Sequence, residues 1–533
     1  MTFDPLVARF ALTPLAPLLL RLGFFFPGEA NVRRSLRAPG RRRTWAGLVG
    51  WLFLLGQLAE AADPGVFRAG AATGDITPEL GAMIIGGFSP VPANYVHDPL
   101  QVRALVLDDG RRRLALVVVD NIGLPREVCD EARRLTTERT GLAGDGILIA
   151  ATHTHSGTTA GTETSIGPST GRGPEDLAAY RKFIASRLAD TIRRAISQLE
   201  PARIGWGSAL EPAQVFNRRW YVSDEALRRN PFGGVDTVRM NPPAGSPALI
   251  KPAGPTDPEI SFLSVQAVSG RPIALFASYS LHYVGGVPAG VVSADYFAVF
   301  CARIGELLQA GRPREPHAPP FVGLLANGTS GDVNNVDFRA KRPVQPAFEQ
   351  MQRVADLLAT AVYRAQQTTV HREAVTLDAR YEELPLQSRR PSPEMVARAR
   401  DVLARPAGGP GWHPLEKVYA NRVLQRDAAP VAVVAPLQVL RIGEVAIMTV
   451  PAEPFAEMGL ELKARSPWSR TLTIGLANGY YGYLPTPPQI RLGGYETWVG
   501  TNRLEPEAAP KITAALLRLA GEMKALAPVF PGK

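Results

Sequence analysis

Cysteine is nearly absent from this chain: Cys129 and Cys301 are the two in 533 residues. No Cys-rich zinc spacing can be built from them, so a finger or ribbon is excluded. Each falls among apolar residues at helical spacing, and they read as two separate buried thiols; one disulfide in an oxidising compartment is the alternative. Long apolar runs are also lacking. The run Leu48–Leu58 is too short for a comfortable membrane span. No Lys/Arg stripe interleaved with aromatics is present, which argues against a nucleic-acid partner despite the net charge of +10. Residues 1–62 carry eight Arg and no Lys against Asp4, Glu29 and Glu60, so 8 − 3 = +5 of that charge is N-terminal. No internal repeat or low-complexity linker divides the remainder.

The N-terminal charge has a simple reading. Arg41-Arg42-Arg43 precede the apolar run, and Ala59-Glu60-Ala61-Ala62 fits a small-residue cleavage site. This is the layout of a secretory signal, with an uncleaved membrane anchor as the alternative. We therefore set residues 1–62 apart as an upstream extension plus signal peptide and expect an exported protein. Residues 63–533, with the ordinary composition of a folded protein, form one large domain.

Strand and helix patterns alternate along this domain. Val102–Leu107 and Arg113–Val119 flank the hairpin turn Asp108-Asp109-Gly110. Helical spacing over 126–140 stops at Gly141, and the strand Ile147–Ala151 follows, which predicts a parallel βαβ unit. Further helices are predicted from Pro174 and near 295–311, 345–366, 393–404, 454–465 and 509–526. Pro430–Arg441 and Glu444–Val450 read as an antiparallel pair, and Arg218–Pro255 as a long irregular excursion. The expected fold class is α/β: a mixed, largely parallel sheet flanked by helices, with irregular insertions.

Apolar runs end repeatedly in polar clusters. Asp120, His153 with His155, His282, Asn327–Asp332 and Glu453 each follow such a run, and Thr471–Leu476 runs into Asn478, Tyr480, Tyr481 and Tyr483. Ligands of open α/β sheets bind at the carboxyl ends of strands. Loops are polar in any case, but that does not explain why four of only seven histidines (His97, His153, His155, His282) sit at strand entries or exits. In Thr152-His153-Thr154-His155-Ser156-Gly157, strand alternation would aim both imidazoles the same way. Neutral imidazole is a favoured zinc ligand, and His153, His282 and Glu453 would make a His₂Glu set with an open position for water. His97 reads as a partner of Asp98 or of a loop carbonyl.

These stretches carry a resemblance. Gly74-Asp75-Ile76-Thr77, Thr152–Gly157, Leu281-His282, Gly331-Asp332-Val333, Val450-Pro451-Ala452-Glu453 and Gly475–Asn478 through Tyr483 to Tyr495-Glu496 occur in the order found in the neutral/alkaline, non-lysosomal ceramidases, and span about residues 68–505. The chain resembles the N-terminal catalytic domain of that family. The resemblance implies a zinc-dependent hydrolase that cleaves the amide of ceramide, or of a related N-acyl lipid, with metal-activated water. It implies His153, His282, Glu453 and Tyr483 as zinc ligands, with His155 and Tyr495 facing the tetrahedral intermediate. To these we add Asp120 as a carboxylate orienting a zinc-bound imidazole and Asp332 as a second support. The expected partners are a lipid or N-acyl amide substrate and, peripherally, a membrane surface.

Two departures stand out. Relatives often carry Gly-Asp-Val-Ser-Pro-Asn, whose serine has been proposed as a nucleophile, whereas this chain reads Gly331-Asp332-Val333-Asn334-Asn335. Metal-activated water survives that change; a serine nucleophile does not. The β-sandwich domain that follows the catalytic domain in full-length ceramidases is expected to be missing, which leaves the substrate open. An esterase or small-amide hydrolase on the same scaffold, and a non-catalytic binding protein, are the alternatives.

Overall fold

The structure is a computed structural model describing residues 65–86, 90–161, 174–311, 316–341, 343–406 and 411–526. The signal-peptide reading of residues 1–62 and part of the Gly86-Gly87-Phe88 loop lie outside these residues. The chain divides after Ala61, and the unit described is the one that follows. Among the described residues, no helix is long and apolar enough to cross a membrane.

Two sheets pack face to face with helices outside. The larger has eight strands in the spatial order Val322–Asn327, Pro272–Tyr279, Glu259–Ala267, Glu200–Leu210, Arg68–Asp75, Gln101–Asp108, Arg113–Val119, Ile147–Ala151. The smaller runs Leu377–Gln387, Ala432–Ile442, Val445–Thr449, Arg470–Ile474. Strand alternation explains the near-continuous apolar runs. Leu105, Leu107, Leu116, Val118 and Leu148 face the second sheet's Leu440, Ile442, Ile447 and Leu472. Val102, Ala104, Val117 and Ile149 face the opposite way, into helices Arg126–Thr140 and Pro174–Ser197. Both faces are covered, so both read apolar. Helices Tyr296–Gln309 and Glu349–Gln366 cover the other half of the large sheet, and Ala456–Arg465 and Ala508–Ala525 cover the small one.

The sheet is mixed, as expected, but its parallel share is small. Only the pairings Pro272–Tyr279/Val322–Asn327 and Arg113–Val119/Ile147–Ala151 are parallel in the large sheet; the centre is antiparallel. The cause is the connections. The turn at Gly110 (φ 84°) and the one at Gly270 (φ 92°) make hairpins, whereas parallel neighbours need a helical crossover. The helix 126–140 ends where its glycine predicted: Gly141 is left-handed at φ 71°, and its N–H closes on the Thr137 carbonyl. Cys129 and Cys301 are separate buried thiols.

The large sheet coils without closing into a barrel, and Asn327 at one edge donates to the Thr152 carbonyl beyond the other edge at 3.3 Å. Segment Leu476–Asn478 joins the two sheets by hydrogen bonds to Ala151 and Ile149. Asn478 is buried there between Arg133, Ile149 and Gln438. Strand ends from both sheets therefore meet at one place.

Candidate metal and active site

The strand Ile147–Ala151 stops two residues before His153, so alternation does not aim the two histidines. Backbone conformation does. His153 sits at φ 71°, a left-handed region that costs a non-glycine residue roughly 1 kcal/mol or more. Its N–H donates to the Asn121 carbonyl at 2.9 Å, and its ring Nδ1 donates to the Ile122 carbonyl. That partner assigns the proton to Nδ1 and leaves the Nε2 lone pair pointing inward. Gly86 holds the other side of the loop. A Cβ there would lie 1.9 Å from the His155 carbonyl oxygen, so no larger residue fits.

Three imidazoles converge. His153 Nε2 lies 3.1 Å from His282 Nε2 and 3.1 Å from His155 Nε2. Glu453 Oε2 lies 3.2 Å from His153 Nε2 and 3.8 Å from His282 Nε2. Its other oxygen accepts the Tyr480 hydroxyl at 2.7 Å. His153, His282 and Glu453 are buried, and His155 is half-buried, so the cluster opens on the His155 side. The His155 ring also stacks on Tyr283, with centroids 3.8 Å apart.

This cluster fits a divalent cation. With the His153 proton on Nδ1, its Nε2 has nothing to donate, and Glu453 Oε2 is buried without a hydrogen bond. Lone pairs thus face lone pairs, an arrangement that a shared cation relieves. Tetrahedral zinc, with bonds of about 2.0–2.1 Å, puts neighbouring donors roughly 3.3 Å apart, close to the spacings seen. Burial holds His155 and His282 well below the usual imidazole range, so both are neutral. Burial opposes charge on Glu453, while the Tyr480 hydroxyl and the Arg218 guanidinium favour it.

The remaining expected residues fall in three places. Tyr483 pairs main chain to main chain with Glu453 in a two-residue parallel ladder, and its ring lies nearly parallel to His282 at 6.5 Å. Tyr495 opens a short turn, 5.8 Å from Tyr483 between ring centroids. Asp120 is not at the imidazoles. It is buried against Arg103 at 2.6 Å and accepts from the Gln101 N–H at 2.9 Å; the Ile122 carbonyl does the orienting expected of it. Asp332 is a brace, accepting from the Ala456 N–H at 2.8 Å and from Asn217 at 2.7 Å. It thereby ties the Gly331 loop to the segment carrying Glu453. His97 stacks on Phe348 instead of pairing with Asp98.

Sequence reasoning missed Arg218, Arg219 and Tyr480. The excursion 218–255 contains a small three-stranded sheet, and the start of its first strand, Arg219–Val222, together with Arg218 just before it, brings both arginines to Glu496, each at 2.8 Å. Arg218 also donates to the Gly331 carbonyl at 2.9 Å and lies over the Tyr483 ring at 5.2 Å. For the arginines the only signal was an adjacent pair in a Pro/Gly-rich stretch, which reads as a solvated loop; Tyr480 lay in the polar cluster after Thr471–Leu476, with no role read for it.

No protein-family model matches the chain. The neutral ceramidase of Mycobacterium tuberculosis is 24% identical over 501 residues, spanning 81% of this chain and 73% of that protein. The crystal structure of neutral ceramidase from Pseudomonas aeruginosa superposes with a TM-score of 0.62 at 18% identity, covering 88% of this chain and 76% of that one. A ceramidase complexed with C2 superposes equally, TM-score 0.62 at 18% identity, with 77% of its chain covered. The resemblance read from the sequence is borne out, and the fold is that of the neutral ceramidases.

Proposed function

We propose that this chain is a ceramidase-type, zinc-dependent hydrolase that cleaves an N-acyl lipid amide to an amine and a fatty acid. One observation carries the reading: His153, His282 and Glu453, far apart in the chain, present lone pairs to one buried point. The similarity to neutral ceramidases supports the same reaction class. Zinc held by His153, His282, Glu453 and the adjacent Tyr483 would supply Lewis acidity, activating water and polarising the amide carbonyl.

The chain's own groups divide the remaining work. Tyr480 fixes one Glu453 oxygen and so aims the other. Ile122 fixes the His153 tautomer. His155, on the open side, and Tyr495 donate hydrogen bonds to the oxygen on which negative charge develops. The Arg218–Glu496–Arg219 cluster holds Tyr483 and the Gly331 loop in place. Asn334 stands where relatives often have serine, so no side-chain nucleophile is required at that position. We also propose export, on the basic and apolar N-terminal stretch of residues 1–62.

The test is release of fatty acid from N-dodecanoyl-sphingosine by purified protein, before and after chelation and with zinc restored. Loss on chelation and recovery with zinc support the reading; undiminished turnover in excess chelator contradicts it.

A further inference from the structure

The three imidazoles of the cluster are not aimed in the same way. The His153 ring is pinned by the bond from its Nδ1 to the Ile122 carbonyl. The His155 ring lacks such a pin. Its Nδ1 is buried and meets no acceptor in hydrogen-bond geometry among the described residues, although the Gly86 carbonyl lies on that side. What this ring has instead is Tyr283. The two rings stack with centroids 3.8 Å apart and planes 17° apart. Tyr283 directly follows His282, and its own ring is tilted 55° from that imidazole. One short segment therefore supplies both a member of the cluster and a support for its neighbour.

The segment Ser293–Asp295 holds the stacked pair together from both sides. Toward His155, the Thr154 hydroxyl donates to the Ser293 carbonyl at 2.7 Å, and the Ser293 N–H donates to the Ser156 carbonyl at 2.9 Å. Toward Tyr283, the two carboxylate oxygens of Asp295 accept the Val284 N–H at 3.1 Å and the Gly285 N–H at 2.8 Å. The Tyr296 hydroxyl donates to the Leu281 carbonyl at 3.0 Å. Asp295 itself sits at φ 58° and ψ −157°. Residues other than glycine rarely adopt that conformation, and it persists only where the surrounding contacts over-determine it. The loop of His155 and the loop of Tyr283 are thus fastened to one strained residue and its neighbours.

We propose that Tyr283 is a positioning residue: its ring fixes the plane of the His155 imidazole and keeps Nε2 directed at the cluster. Stacking does for His155 what a hydrogen bond does for His153, and it leaves the imidazole free to donate to a bound substrate. The inference rests on the proposed hydrolase reading, in which His155 acts on the substrate.

A double-mutant cycle tests it. Tyr283→Leu removes the ring and should lower kcat for N-dodecanoyl-sphingosine by about two- to tenfold, with KM and zinc content close to the wild type. Tyr283→Phe keeps the ring and should recover most of that loss. In a His155→Ala background, Tyr283→Leu should change kcat by less than about twofold, because the group it acts through is gone. A general loss of stability would not depend on His155 in this way. An equal loss in both backgrounds, or a Tyr283→Phe variant as impaired as Tyr283→Leu, overturns the proposal. A second readout needs no turnover. In metal-free protein, the His155 ring-proton resonances, identified by their loss in His155→Ala, should move downfield in Tyr283→Leu and stay in place in Tyr283→Phe. Resonances that ignore Tyr283→Leu overturn the positioning role. A wild type that hydrolyses no N-acyl lipid but shows the predicted shifts removes the hydrolase reading and leaves the ring support standing.

Discussion

Glu453 and His153 meet at 3.2 Å, carboxylate oxygen against an imidazole nitrogen whose proton is on the far side of the ring. Neither atom has a proton to share. The contact makes physical sense as two donors awaiting one cation, and the surrounding groups serve to keep it so.

Tyr480 is the first of those groups. Tyr480→Phe deletes the 2.7 Å bond to Glu453 Oε1 and leaves that oxygen buried without a donor. Groups that orient metal ligands are typically worth 10–100-fold in affinity. Zinc affinity, measured by chelator competition, should fall by about that factor while the variant stays folded. Unchanged affinity would remove Tyr480 from the site.

His155 and Tyr495 are expected to act on the substrate rather than to retain the ion. His155→Ala and Tyr495→Phe should each lower kcat by about 10²–10³ with zinc content close to the wild type. His155 Nε2 lies as near His153 as His282 does, so the zinc content of His155→Ala decides its role. Loss of zinc would make it a ligand.

The buried Arg218–Glu496–Arg219 cluster should matter to stability as much as to geometry. Glu496→Gln removes the charge that both guanidinium groups face. Removing one partner from a buried ionic cluster costs about 3–5 kcal/mol. Urea unfolding of metal-free protein should show a loss of that order; a change under about 1 kcal/mol would mean that water reaches the cluster.

Much of this was legible in the sequence, and what was not has physical causes. Polar clusters at strand exits located His153, His282 and Glu453, because apolar runs mark buried strands wherever those strands go. The predicted turn at Gly110 and the stop at Gly141 were readable because each needs a left-handed residue. Arg218 and Arg219 were not readable, since nothing local distinguishes a buried ion cluster from a solvated Arg-Arg pair. The convergence of His153 and His155 was expected from strand alternation and arises instead from the left-handed His153. Asp120 looked placed to orient an imidazole, but Arg103 across the neighbouring strand captures it.

Asp332 provides a pH prediction. Burial pushes its carboxyl up to about 6, despite the Ala456 N–H, Arg219 and Asn217, against about 3.9 in an unfolded chain. The folded state therefore binds this proton more tightly. The contribution is fully present below about pH 4 and is lost as pH rises through about 6, on the order of 2–3 kcal/mol. In metal-free protein, the stability difference between wild type and Asp332→Asn, from urea unfolding at pH 4 to 7, should shift over that window. A difference that stays constant across the range would contradict the assignment.

The account depends most directly on one ion at one place. Zinc per chain, measured by mass spectrometry on dialysed wild type and on His153→Ala, His282→Ala and Glu453→Gln, addresses this directly. The prediction is about one equivalent in the wild type and at least a tenfold loss of affinity in each variant. Full zinc occupancy in all three variants, or none in a wild type that still hydrolyses its amide, would contradict it.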